Sequence, residues 1–226
     1  MSSVWNEKIN YTPAVSVPVK SVRYEETTYR AGKRIFDIIG SSLFIVLLSP
    51  VLLAIALLVF FKDRGPIVFK QKRLGLNGRE FTILKFRTMR QNAEEILRSN
   101  PELMAEYQKN FKLENDPRLI PGGKFLRSSS LDELPQLFNV LRGDMSLVGP
   151  RPILRDELQK YGEKADVYLS MKPGCAGLWQ CGGRSDVDYD TRVNLDAKYY
   201  ETASLVRDMD VLVRTARAVV LRQGAY

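Results

Sequence analysis

The stretch Ile38-Ile39-Gly40-Ser41-Ser42-Leu43-Phe44-Ile45-Val46-Leu47-Leu48-Ser49-Pro50-Val51-Leu52-Leu53-Ala54-Ile55-Ala56-Leu57-Leu58-Val59-Phe60-Phe61 runs for 24 residues without a charge. That length meets the criterion for a membrane helix. Ser49-Pro50 interrupts it near the middle. Proline removes a helix hydrogen bond and clashes with the preceding turn. The freed carbonyls need help, and the Ser49 hydroxyl is the nearest donor. Arg30, Lys33 and Arg34 precede the stretch, and Lys62, Arg64, Lys70, Lys72 and Arg73 follow it. Positive charge on both sides sets no orientation under the positive-inside rule. A helix–break–helix hairpin that enters and leaves on the cytosolic face satisfies both flanks. Each half would be about 18 Å long, short of the roughly 30 Å hydrocarbon core. A kinked single span and a buried core helix stay open as alternatives.

Outward from this stretch the chain divides into three parts. Residues 1–29 mix prolines, serines, threonines and balanced charge, which predicts a flexible tail without the pattern of a signal peptide. Residues 30–62 form the re-entrant membrane helix, and 63–226 a cytosolic domain. The expected class is α+β and mostly helical, with the re-entrant helix hairpin, a small β-hairpin and amphipathic interfacial helices.

Net charge is +8, from 34 basic and 26 acidic residues, which suits an anionic partner. A nucleic acid is disfavoured, because much of the basic excess flanks the apolar stretch and no recognition module is present. Cys175 and Cys181 are too few for a structural zinc, and there is no histidine to help them. The lack of histidine also removes the usual neutral-pH acid and base. Proton or nucleophile chemistry therefore falls to carboxylate, Lys, Tyr, Ser or Cys.

Pro66–Gln71 and Phe81–Met89 read as strands joined by a turn containing Asn77-Gly78, a strong hairpin signal. Period two puts Lys85 and Arg87 on one face. Residues 92–112 read as two short helices split at Pro101. Ser130-Leu131-Asp132-Glu133 matches a capping box, predicting a helix to about Leu141 that ends at Gly143; Pro135 is the alternative start. Either way, two adjacent carboxylates sit at a helix N-terminus. Glu133 is then a cap or a chemical group, and spacing does not decide. In Gly149-Pro150-Arg151-Pro152 two prolines stiffen the backbone around one arginine, whose guanidinium suits phosphate. Residues 153–172 read as helix. Glycines around Gly177-Leu178-Trp179-Gln180 would let backbone approach a ligand, with Trp179 and Arg184 adding stacking and charge. Ser204–Gln223 is an amphipathic helix that could lie on an anionic bilayer or pack on the core.

Taken together, these motifs resemble the bacterial sugar transferases, the monotopic phosphoglycosyl transferases that start exopolysaccharide, capsule and O-antigen assembly. The resemblance covers about Ala31 to Tyr226. It rests on Lys33-Arg34-Ile35-Phe36-Asp37, the apolar stretch broken at Ser49-Pro50, Lys85–Met89, Asn115-Asp116-Pro117-Arg118, Leu126-Arg127, Ser130–Gln136, Met145–Pro152, Lys172-Pro173-Gly174 and Gly177–Gln180. Layout is similar to the short members that begin exopolysaccharides with a hexose phosphate.

The resemblance implies transfer of a sugar-1-phosphate, galactose or glucose, from a UDP-sugar to undecaprenyl phosphate in the bacterial inner membrane, with release of UMP. It assigns Asp132 as nucleophile through a covalent phosphosugar adduct. Glu133 would hold Mg²⁺ or manage the incoming phosphate, with Asp132 as a second metal candidate. Arg127 and Arg151 match phosphate-contacting positions; Lys85 and Arg184 match more loosely, and Arg87 shares the face of Lys85. Ser49 and Pro50 match the membrane break, and a homodimer is allowed. Attack needs the ionised carboxylate and no general base, so a low pKa would cost Asp132 little. Direct ternary-complex transfer and a non-catalytic assembly scaffold are the competing readings.

Overall fold

A computed structural model describes residues 23–110, 113, 115–182 and 187–220. The expectations for residues 1–22, 111–112, Arg184 and the end of the last helix at 221–223 fall outside them.

The apolar stretch forms two helices, α1 (Thr27–Leu47) and α2 (Ser49–Lys62), bent by 63° at Leu48. Pro50 has no N–H to give the Val46 carbonyl four residues back. The Ser49 hydroxyl donates to that carbonyl instead, at 2.8 Å. Among the described residues no single helix is long and apolar enough to cross a membrane, but this bent pair passes that test together.

Helix α1 reverses the usual amphipathic arrangement. Tyr29, Lys33, Asp37 and Ser41 recur every four residues and are buried against the rest of the chain. Ile35, Ile39, Leu43, Val46 and Leu47 cover the opposite side and are exposed. The buried polar stripe is satisfied at each point. Lys33 pairs with Asp208 at 2.8 Å, and Tyr29 donates to the same carboxylate. Asp37 accepts from the Ser146 hydroxyl and the Leu147 N–H, both at 2.9 Å. Tyr24 and Tyr29, which precede the expected start of the membrane segment, lie in the main core cluster. On α2, Ile55 and Val59 pack on Phe86, Ile120 and Leu126, while Leu53, Leu57, Phe60 and Phe61 face outward.

The expected hairpin is present. Strands β1 (Val68–Leu74) and β2 (Glu80–Phe86) pair antiparallel from Val68 opposite Phe86 to Leu74 opposite Glu80. Asn77 and Gly78 both take positive φ in the turn, as that dipeptide favours. Helices α3 (Ala93–Arg98) and α4 (Pro101–Asn110) divide at Pro101. Two short helices follow, α5 (Gly123–Ser128) and α6 (Gln136–Arg142). A second, parallel pair joins β3 (Ser146–Val148) to β4 (Gly174–Ala176).

One expectation is corrected between these strands. Residues 153–172 are not one helix. A 3-10 run covers Arg155–Lys164, Gly162 breaks it at φ 51°, and α7 (Ala165–Leu169) is only five residues. Gly149, Gly174 and Gly177 let neighbouring backbone segments pack closely. A Cβ on Gly174 would meet the Gly149 nitrogen at 2.1 Å, and one on Gly149 the Lys172 carbonyl at 2.4 Å. The chain closes with α8 (Leu178–Gly182), α9 (Tyr189–Thr202) and α10 (Leu205–Val220). Helix α10 combines both readings of its amphipathic pattern. Asp208, Val211 and Ala218 are buried, while Val206, Met209 and Val213 form an exposed apolar stripe.

Candidate active site

The turn before α6 carries the two carboxylates, but not through a capping box. Ser130 sits in the left-handed region at φ 57°, which non-glycine residues rarely adopt, and its side chain caps nothing. A single 3-10 turn, Leu131–Glu133, follows, and α6 starts only after Pro135. Its far end is the one expected, with Gly143 left-handed at φ 96°. Glu133 therefore does not cap its own helix. Lys85 on β2 takes Glu133 Oε1 at 2.6 Å, and Arg151 lies 3.8 Å from the same oxygen.

The register that brings Lys85 to Glu133 is set by Asn139 on α6. Its side chain accepts from the Leu84 N–H at 3.0 Å and donates to the Thr82 carbonyl at 2.8 Å. This fully buried amide fixes helix to strand on either side of Ile83.

Arg151 is held more firmly than its prolines alone require. The Tyr168 hydroxyl accepts from the Ile153 N–H and donates to the Arg151 carbonyl, both at 3.1 Å. Arg73 donates to the Pro152 carbonyl at 3.2 Å, and the Gly174 N–H to the Pro150 carbonyl at 2.8 Å. The guanidinium itself stays partly exposed, beside a recess also lined by Arg73, Lys85, Glu133, Gln136 and Gln180.

The two carboxylates differ sharply. Asp132 is buried, and no side chain among the described residues hydrogen-bonds it. Burial, reinforced by the negative charge of Glu133, pushes its pKa up to about 6; Lys85 and Arg127 oppose that rise. Desolvation thus exceeds the help from nearby cations. Glu133 goes the other way. Lys85 and Arg151 together overcome its desolvation and hold it below the usual carboxylate range.

The remaining sequence candidates separate. Arg127 stands at the end of α5, where its Nε donates to the Thr88 hydroxyl at 2.9 Å. The Thr88 carbonyl accepts from the Ile120 N–H just after the Asn115–Arg118 turn, and the Arg90 N–H donates to the Arg118 carbonyl within it. In that turn Asp116 and Arg118 form a two-bond pair at 2.7 and 2.8 Å. Arg87 is not brought to Glu133. It pairs with Asp63 at the end of α2, at 2.5 Å. Residues Arg73, Thr88, Asn139 and Tyr168 were missed as site supports. Each acts through a partner distant in sequence, and only Thr88 lay inside a recognised motif.

The family model described as bacterial sugar transferase matches residues 28–222. The chain belongs to the bacterial sugar transferase family. The chain is 48% identical over 198 residues to the undecaprenyl-phosphate galactose phosphotransferase of Salmonella typhimurium, covering 86% of this chain and 41% of that protein. It is 51% identical over 201 residues to an uncharacterized sugar transferase of Haemophilus influenzae, covering 87% and 42%. With the exopolysaccharide production protein ExoY of Rhizobium meliloti it shares 46% over 199 residues, covering 86% and 88%. The chain thus spans less than half of the first two relatives and most of the third.

Proposed function

We propose that this transferase moves a sugar-1-phosphate, galactose or glucose, from a UDP-sugar to undecaprenyl phosphate, through an adduct on Asp132. The observation that carries the reading is the asymmetry of the carboxylates. Asp132 is buried with no side-chain hydrogen bond among the described residues, while Glu133 beside it is neutralised by Lys85 and Arg151. The names of the relatives support the substrate class.

In the first step an ionised Asp132 oxygen attacks the sugar-linked phosphorus. A bond from aspartyl oxygen to phosphorus forms, the bond to the bridging oxygen of the diphosphate breaks, and UMP leaves with that electron pair. In the second step a lipid phosphate oxygen attacks the same phosphorus and the Asp132 carboxylate departs. A carboxylate approaching an anionic diphosphate needs positive charge close by. Lys85, Arg127 and Arg151 supply it from three different elements. Glu133 keeps Lys85 and Arg151 beside the nucleophile until phosphate replaces it as their partner.

The donor set also suits Mg²⁺, which is usually held by one or two carboxylates plus substrate phosphates. Glu133 and Asp132 would hold it, and it would add charge neutralisation at the phosphate oxygens. The outward apolar faces of α1, α2 and α10 support a seat in the inner leaflet, with α1 and α2 as a re-entrant pair. On that reading the carboxylates would meet a lipid phosphate from the cytosolic side.

The test is intact mass of the protein after incubation with UDP-galactose or UDP-glucose without lipid. A phosphohexose adduct in wild type and none in Asp132→Asn is the expected result. Intersecting instead of ping-pong kinetics, with no adduct, would replace this route by direct transfer.

A further inference from the structure

A second cavity, of about 170 Å³, lies at the other end of α6 and shares no lining residue with the recess beside Glu133. Liquid water takes about 30 Å³ per molecule, so the space suits a group as large as a phosphate. Arg30, Lys33, Arg34 and Lys172 line it, against the single carboxylate of Asp37.

The charges do not cancel internally. Lys33 is committed to Asp208, and Asp37 to Ser146 and Leu147. Arg34 donates to the Val140 and Leu141 carbonyls, at 2.8 and 2.9 Å. Those are neutral acceptors and leave its charge uncompensated. Arg30 and Lys172 have neither a side-chain hydrogen bond nor an ion pair among the described residues. Setting aside the Lys33–Asp208 pair leaves three cations facing one anion. The Lys172 ammonium is accordingly pushed below its usual range, by burial first and then by Arg34 and Arg30, although Asp37 pulls it back.

Position narrows the ligand. Ile35 and Ile39, on the turns of α1 that follow Arg30 and Arg34, are 59% and 63% exposed. At 1.5 Å per residue Ile39 is about 13 Å along the helix from Arg30. The cavity thus lies where the polar end of α1 gives way to its apolar face.

We propose that this cavity binds the phosphate of an anionic membrane lipid headgroup, at a site separate from the Asp132–Glu133 centre. The choice of a lipid source rests on the re-entrant reading of α1 and α2; the anion chemistry does not. Held there, such a headgroup would fix the rotation of α1 through Arg30 and the height of α6 through Arg34.

The experiment measures binding of the full chain to phosphatidylglycerol and to phosphatidylcholine vesicles, for wild type, Arg30→Gln/Lys172→Gln and Arg30→Lys/Lys172→Arg. Adduct formation on Asp132 from UDP-sugar is measured beside it. Losing two charge-assisted contacts should weaken phosphatidylglycerol binding by about tenfold or more. Phosphatidylcholine binding and adduct formation should stay unchanged. The charge-keeping variant should bind like wild type, which separates a lost contact from a damaged fold. Equal phosphatidylglycerol binding by all three proteins would overturn the site. Loss of the adduct in step with lipid binding would overturn its separateness. Displacement of the vesicles by millimolar inorganic phosphate would overturn the lipid source in favour of a free anion.

Discussion

Asp132→Asn is expected to make the protein more stable at neutral pH, while it abolishes the phosphosugar adduct. The folded-state pKa of Asp132 is about 6, against an ordinary value of 3.8. Between those values the folded chain holds a proton that the unfolded chain has released. Stability therefore falls as pH rises through the window, and the cost is complete above pH 6. A shift of about 2.2 units corresponds to about 3 kcal/mol at pH 8. Roughly half of it is already present at pH 5 by the same linkage. Asparagine cannot ionise, so wild type should lose about 1.4 kcal/mol relative to the variant between pH 5 and pH 8. For a chain of this size that is about 3–6 °C in Tm. Thermal or urea unfolding of both proteins in the same lipid or detergent, at pH 5, 6, 7 and 8, measures it. The adduct rate of wild type should rise over the same range with a midpoint near 6, since only the ionised form attacks. A stability gap that is flat in pH, or a variant less stable than wild type at pH 8, would refute a desolvated Asp132.

Three further changes test the supports. Lys85→Met removes the 2.6 Å partner of Glu133 and one of the cations that lower the Asp132 pKa; adduct formation should fall by about 10- to 100-fold, and its pH midpoint should move upward. Ser130→Gly relieves a left-handed serine and should raise stability by about 1 kcal/mol, read by unfolding; a loss would mean that the Ser130 side chain matters more than its backbone. Asp208→Asn strands the buried Lys33 ammonium and should cost about 3–5 kcal/mol, whereas Lys33→Met/Asp208→Leu should recover most of it.

Much of this architecture could be read locally, because its signals are local. Ser49-Pro50 predicts a break and a hydroxyl to mend it, and the bond from Ser49 to Val46 does so. Asn77-Gly78 predicts the hairpin, and both residues take the positive φ the turn demands. Ser130-Leu131-Asp132-Glu133 misled, because a capping box assumes an N-cap in extended conformation. Here Ser130 is left-handed and Lys85, 48 residues away, captures Glu133. Charge spacing on β2 likewise put Lys85 and Arg87 together, yet Arg87 lies beyond the strand's last paired residue, and Asp63 claims it. Asn139 gave no signal at all. A buried amide that joins helix to strand looks like any asparagine until both elements are placed. The Asp132 pKa could not be read either, since the sequence shows the nearby cations but not the loss of water.

The buried polar stripe of α1 joins the bent apolar helix pair and the Asp132–Glu133 turn in one folding unit. A helix that only dipped into lipid would need no lysine, aspartate or tyrosine at four-residue spacing. In this chain those groups and their neighbour Arg34 tie α1 to the rest of the fold. Arg34, beside the stripe, donates to the last carbonyls of α6, whose first turn follows Asp132 and Glu133 directly. Asp37 closes the start of β3, which leads within three residues of its end to Arg151. Lys33 neutralises Asp208 and so lets α10 bury its polar side while its apolar stripe stays outside. Removing α1 would strand a buried carboxylate at Asp208 and free the end of α6. The stranded carboxylate alone would cost about 3–5 kcal/mol. Hydrogen bonds rather than a flexible linker thus connect α1 to the strand before Arg151 and to the helix after Asp132 and Glu133. A site that takes a lipid phosphate, as proposed above, would need its carboxylates held in this way to the element that sets its depth.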